Sequence, residues 1–222
     1  MSKRISNSVL DPYVGPVLKG LYPILRIPTW FPPEGIILVG HVCAIAGAIG
    51  FAFSSQHWWA GVIAALGVIG NHVADCVDGT HARATGQCRN GGELLDHFTD
   101  PLSFAYWLVG IGIAAGSLEL ALVSVICLFA IAVLTNIQAK LIGEFTLSRF
   151  GPTEFKTLLV LLGVAISLVT LVTPEFSAIF AMGVLAMLIT VGLIQLPIQL
   201  YRAVKDVNEF GGQADTSEWI TK

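Results

Sequence analysis

Asp75-Cys-Val-Asp-Gly-Thr-His-Ala-Arg-Ala-Thr-Gly-Gln-Cys-Arg-Asn-Gly-Gly-Glu-Leu-Leu-Asp-His-Phe-Thr-Asp100 is a charged island between apolar runs. Asp75, Asp78 and Ala82 sit at i, i+3 and i+7, so a helix would place them on one face. Gly92, Asp96 and Asp100 sit at i, i+4 and i+8 and share a face in the same way. The short Gly-containing connection at 84–91 predicts two antiparallel neighbouring helices. Two pairs of carboxylates are then expected to face each other across one interhelical groove.

The rest of the chain says what surrounds that groove. Of 222 residues, 55% are hydrophobic and only 12% charged, with a mean hydropathy of +0.76. A soluble domain carries about a quarter charged residues, so a soluble globule and a disordered chain are both excluded. The net charge of −3 and pI near 5.9 argue against a nucleic-acid partner. The composition is that of an all-α integral membrane protein. Residues 1–8 lead into a Pro-rich, amphipathic stretch instead of the apolar core of a cleavable signal.

Apolar runs of about 20 residues, the length a bilayer core requires, are expected six times. They fall at about 35–53, 58–83, 92–115, 119–142, 155–173 and 176–203. Together with an amphipathic interfacial segment at 8–28 they form one membrane domain over 1–207, followed by a polar tail at 208–222. The basic residues test this map. Lys3, Arg4, Lys19 and Arg26 precede the first span, and Arg83 and Arg89 separate the second from the third. Lys140, Arg149 and Lys156 are read as lying between the fourth and fifth, and Arg202, Lys205 and Lys222 follow the sixth. The connections near 54–57, 116–119 and 173–175 contain neither Lys nor Arg. All positive charge thus falls on one side, which predicts cytoplasmic termini and a cytoplasmic groove.

A carboxylate inside a span costs about 2.5–3.5 kcal/mol on insertion scales. Four of them need compensation, and the nearby sequence offers only Arg83 and Arg89. A divalent metal answers this, and hard oxygen ligands favour Mg²⁺, Mn²⁺ or Ca²⁺ over zinc. Cys43, Cys76, Cys88 and Cys127 are scattered and expected to be buried thiols. His41, His57, His72 and His81 read as packing or interfacial side chains. Gly79 and Ala82 leave room beside the acids for a ligand to approach the helix backbone. An intramembrane acid cluster also suits a divalent-cation transporter, but all four acids lie at one end of their spans with no path through.

The residues from Asp75 to Asp100 fit D-x-x-D-G-x-x-A-R-x(8)-G-x-x-x-D-x-x-x-D, the pattern of the CDP-alcohol phosphatidyltransferase superfamily. Within it the chain looks most like the choline/ethanolamine phosphotransferase branch. Gly92-Glu-Leu-Leu-Asp-His-Phe-Thr-Asp-Pro-Leu-Ser103 resembles that branch's G-E-L-F-D-H-x-x-D-x-x-S. The stretch from Ile27 to Gly40 resembles its entry to the first span, with Glu34 where the branch usually has Asn. Gln138, Gly143, Thr153 and Glu154 are similar to its Q-T-Y-x-x-G and following T-E.

The resemblance implies a six-helix homodimer with two Mg²⁺ or Mn²⁺ ions per active site. Asp75, Asp78, Asp96 and Asp100 are then the metal ligands, and Asp100 is the candidate general base, with His97 as a rival. Gly79, Ala82, Arg83, Gly92 and Glu93 are the expected substrate contacts, with Arg83 on phosphate. The implied reaction moves a phospho-amino-alcohol from CDP-ethanolamine or CDP-choline to diacylglycerol and releases CMP. Glu93, Glu144 and Glu154 are the candidate partners of an ammonium head group, the alternative for each being a helix cap or a water-facing side chain. The alternative within the superfamily is transfer of a phosphatidyl group from CDP-diacylglycerol to a small alcohol.

Overall fold

Proline and glycine set where the helices begin and end. In the computed structural model of the chain, residues 3–147, 149–212 and 216 are described, without the side chains of 3, 4 and 147. Two short helices, α1 (Asp11–Lys19) and α2 (Tyr22–Leu25), precede α3 (Pro33–Phe53). Then come α4 (Trp58–Thr85), α5 (Asn90–Ala114), α6 (Leu118–Ile142), α7 (Pro152–Val172) and α8 (Ser177–Phe210). Pro33 and Pro152 open α3 and α7, where their missing N–H has no helical partner to lose. Gly86 and Gly143 close α4 and α6 in the left-handed conformation that favours glycine.

Among the described residues five helices are long and apolar enough to cross a membrane: α3, α4, α6, α7 and the segment ending in α8. The protein is an integral, multi-pass membrane protein. The expected third span, about 92–115, corresponds to α5, which is long enough at 25 residues but is not one of those five. Its opening turns carry Glu93, Asp96, His97 and Asp100, and these lower its overall apolarity. α8 continues through Pro197 to Phe210, several residues past the expected end of the last span. Of the expected polar tail, residues 213–215 and 217–222 lie outside the described residues.

Side-chain size decides which helices meet. α3 packs along α4 and α5, α4 packs on α7, and α6 packs on α8 and α5. A Cβ on Gly67 of α4 would stand 2.4 Å from the Cα of Gly47 in α3. Only glycine allows those two backbones to approach so closely, as is common between membrane helices. Phe51, Val68, Trp107, Leu159 and Leu185 fill the core between these helices. Trp107 also donates its indole N–H to the Ala44 carbonyl at 2.9 Å, pinning α5 to α3.

Two arrangements differ from the sequence reading. Among the described residues the backbones of α4 and α5 approach each other at few places; each leans on α3 instead, and it is their acidic side chains that meet. The fold is also not wholly helical. Strand β1 (Lys3–Ser6) pairs in parallel with β2 (Glu144–Leu147), Lys3 opposite Glu144. Each strand has 4 residues, and partners so distant in the chain leave no hairpin signal. This ribbon brings the N-terminal segment to the connection between α6 and α7.

Candidate active site

The site is assembled from the acidic ends of α4 and α5 and the first turns of α7. α4 holds its helical course to Thr85, so Asp75 and Asp78 stand about two to three turns before its end. α5 begins just after the extended Arg89, which places Asp96 and Asp100 in its second and third turns. Carboxylate oxygens of Asp75, Asp96 and Asp100 all lie within 4.8 Å of one another. Asp78 is buried beside them, and its Oδ1 accepts the N–H of Gly79.

Lys156, on α7, completes the cluster. Its side chain is 0% exposed, and its Nζ donates to Asp75 Oδ2 at 2.7 Å and to Asp100 Oδ1 at 3.0 Å. The ammonium also stands 5.6 Å from the ring centroid of Phe104, within cation–π range. Sequence reasoning placed Lys156 in the connection before the fifth span, on the water side. That reading is corrected: α7 starts at Pro152, so Lys156 is already inside the helix and faces the acids. The available signal was a lone lysine beside an apolar run, facing acids that lacked a cation.

A cavity of about 1370 Å³ opens beside the cluster. Asp75, Asp78, Asp96 and Asp100 line it together with Gly79, Arg83 and His97. Apolar residues of α5, α6 and α8, among them Leu108, Leu128, Ile131, Leu188 and Ile189, line it as well. Its cations include Lys19, Arg83 and Arg202. A Cβ on Gly79 would sit 3.3 Å from Arg83 Nη1, so the glycine leaves the space that this guanidinium uses.

The other expected contacts lie outside that lining. Ala82 gives its carbonyl to the N–H groups of Gly86 and Gln87 and so helps to finish α4. Gly92 lies near Glu34, whose Oε1 would be 3.9 Å from an added Cβ. Glu34 in turn stands 3.6 Å from Arg89. Glu93 Oε1 is 3.9 Å from His97 Nε2, and the His97 ring meets Phe145 edge-on at 4.7 Å.

Glu154 caps the start of α7, as glutamate readily does at a helix N-terminus, and is not an ammonium partner. Its Oε1 accepts from the Ser8 hydroxyl at 2.6 Å and from the N–H groups of Val9 and Leu10 at 2.8 and 3.0 Å. Its Oε2 accepts the N–H of Gly151 at 2.9 Å. Both oxygens are therefore engaged in tying the N-terminal segment to α7, and the carboxylate is not presented to an ammonium ligand. Thr153 strengthens the same tie by donating to Asp11. The histidines divide as well. His81 is fully buried between the Tyr22 hydroxyl and the Phe31 carbonyl, at 3.0 and 2.8 Å. The cysteines also depart from expectation, since only Cys127 is buried and Cys88 is exposed.

The donor set fits a hard divalent cation. Three converging carboxylates match the oxygen ligation of Mg²⁺ and Mn²⁺. A second group, His72, Asp75 and Cys76, comes together on α4 and offers softer nitrogen and sulfur atoms. It draws all its ligands from one helix, whereas the carboxylate group joins two helices at the cavity.

The sequence model of the CDP-alcohol phosphatidyltransferase family matches residues 30–195. Cholinephosphotransferase 1 of Homo sapiens is 36% identical over 95 residues, 40% of this chain and 23% of that protein. Cholinephosphotransferase 1 of Gallus gallus is 31% identical over 114 residues, 49% of this chain and 33% of that protein. The chain thus spans only 23% and 33% of the length of these two relatives. Phosphatidylinositol phosphate synthase of Mycolicibacterium smegmatis is 29% identical over 171 residues, 73% of this chain and 74% of that protein.

Proposed function

This chain belongs to the CDP-alcohol phosphatidyltransferase family, and on that premise we propose that it transfers a phospho-amino-alcohol from CDP-ethanolamine or CDP-choline to diacylglycerol. The observation that carries this reading is the meeting of Asp75, Asp96 and Asp100 at a cavity with both charged and apolar walls. A CDP-alcohol brings a charged diphosphate and diacylglycerol brings an apolar body, so one substrate suits each kind of wall. The similarity to cholinephosphotransferases supports an amino-alcohol donor.

In the reaction, the acceptor hydroxyl oxygen forms a bond to the β-phosphorus of the donor. The bond from that phosphorus to the bridging oxygen breaks, and CMP leaves with the oxygen. Asp100 takes the hydroxyl proton, with His97, which lines the same cavity, as the rival base. Arg83 holds a phosphate oxygen of the donor, beside the space that Gly79 leaves open. Asp75, Asp78, Asp96 and Asp100 would hold two divalent ions, Mg²⁺ or Mn²⁺. When bound, these ions supply charge neutralisation for the diphosphate and the departing CMP. Apolar residues around the cavity exclude water, which would otherwise compete with the acceptor hydroxyl.

The membrane arrangement belongs to the same proposal. α5 spans the membrane as well and brings the number of spans to six, residues 8–28 lie along the membrane surface, and the chain works as a homodimer. The site faces the cytoplasm, a reading supported by the basic residues Arg83, Arg89, Lys140, Arg149 and Arg202 at the helix ends that share the acidic site.

A second reading is favoured by the M. smegmatis phosphatidylinositol phosphate synthase, whose similarity spans 73% of this chain. Lys19, Arg83 and Arg202 at the cavity would suit a donor or acceptor with additional phosphate. In that case CDP-diacylglycerol gives its phosphatidyl group to a small alcohol. CMP release in lipid nanodiscs separates the two. CDP-ethanolamine or CDP-choline with diacylglycerol is expected to release CMP. Release with CDP-diacylglycerol plus a small alcohol, and not with the first set, would replace the first reading by the second.

A further inference from the structure

Lysine is almost never fully buried unless it is paired, and Lys156 is 0% exposed. Its partners are not one carboxylate but two, from different helices: Asp75 on α4 and Asp100 on α5. The backbones of those helices approach each other at few places, and the ammonium bridges the acidic side chains that meet between them. Among the described residues, Asp75 and Asp100 have no other lysine or arginine nitrogen within 4.0 Å. Asp75 and Asp100 also belong to the group of three whose oxygens converge within 4.8 Å. A divalent cation seated there would meet Lys156 at the same ligands. Two cations sharing carboxylates repel one another, strongly so where water is excluded.

We propose that Lys156 is the built-in counter-ion of the acid cluster: it holds Asp75 and Asp100 together without divalent metal and competes with that metal for them. The lysine then sets how much metal the site requires, because binding must overcome a charge already in place. The protein keeps its structure when metal is scarce and loads only above a threshold concentration. This inference rests on reading the carboxylates as metal ligands.

The test compares the full-length protein in detergent with Lys156→Met and Lys156→Gln, all purified in Mg²⁺. Mn²⁺ binding is read from the loss of the free-ion electron paramagnetic resonance signal after Mg²⁺ is removed. Thermal melting is followed by tryptophan fluorescence with Mn²⁺ and with chelator. Both neutral variants are expected to bind Mn²⁺ at least tenfold more tightly than the wild type. Their melting temperature is expected to drop sharply in chelator and to recover with metal, while the wild type changes little. Equal or weaker Mn²⁺ binding by the variants overturns the competition. Variants that stay misfolded even in saturating Mg²⁺ also overturn it, since metal could then not replace the ammonium. If no form binds Mn²⁺, the metal assignment falls together with the competition. Equal binding by all forms removes the competition alone.

Discussion

Glu154 and Lys156 stand two residues apart in the first turns of α7, about 200° apart around its axis. Both are buried charges. Glu154 is met by a hydroxyl and three backbone N–H groups, which satisfy a carboxylate without any opposite charge. Lys156 is met by two carboxylates that belong to a larger excess of negative charge. One residue fastens the N-terminal segment, and the other faces the chemistry. Burial of a charge alone therefore does not mark a site. What distinguishes these two is whether the partners are neutral dipoles or ions that can also take another ligand.

The largest effect is expected at the carboxylates themselves. Asp75→Ala and Asp96→Ala are each expected to lower CMP release by about a thousandfold, the loss typical of removing a main electrostatic element. Size-exclusion profiles should stay monodisperse, showing that chemistry and not folding was lost. Retained turnover in either variant would remove the cluster from the reaction. Next in size is Lys156→Met under metal-free conditions. Breaking a buried ion pair from one side costs about 3–5 kcal/mol, and chemical denaturation in chelator should show a loss of that order.

Glu154→Ala sharpens the other side of the comparison. It leaves several N–H donors short of a partner, at a cost of about 1–3 kcal/mol. Limited proteolysis should cut faster within residues 5–28, while Mn²⁺ affinity stays as in the wild type. A changed metal affinity would mean that the two faces of α7 are not independent. The smallest effect is expected at Gly79→Ala. The atoms nearest the added methyl belong to the Arg83 guanidinium, the far end of a long side chain, so the donor KM should rise about three- to tenfold with the melting temperature unchanged. A loss of fold there would show that Gly79 serves helix packing instead.

The pattern of legibility follows the range of each interaction. Asp75, Asp78, Asp96 and Asp100 could be read from spacing because each pair lies on one helix, and both helices are periodic apolar runs. The apolar helices were legible for the same reason, their lengths being set by the bilayer. α5 was recognisable by length and position, although with its acidic opening turns it is not among the five helices apolar enough to cross a membrane. Lys156 was not legible as a partner of Asp75, because that contact joins residues 81 positions apart. Nothing local tells a lysine at the edge of an apolar run which way it faces until Pro152 has fixed the start of the helix. The tie from Glu154 to Ser8 escaped for the same reason, spanning 146 positions. Its donors are mostly backbone groups, which carry no residue signature at all.

The most direct test is CMP release by the purified protein in nanodiscs containing diacylglycerol, supplied with CDP-ethanolamine or CDP-choline. Reactions with Mg²⁺, with Mn²⁺ and with chelator should run beside Asp96→Ala. The expected result is CMP formed with either metal by the wild type only, and none in chelator. CMP formed equally by Asp96→Ala, or by the wild type in chelator, would contradict a metal-loaded carboxylate site as the centre of the reaction.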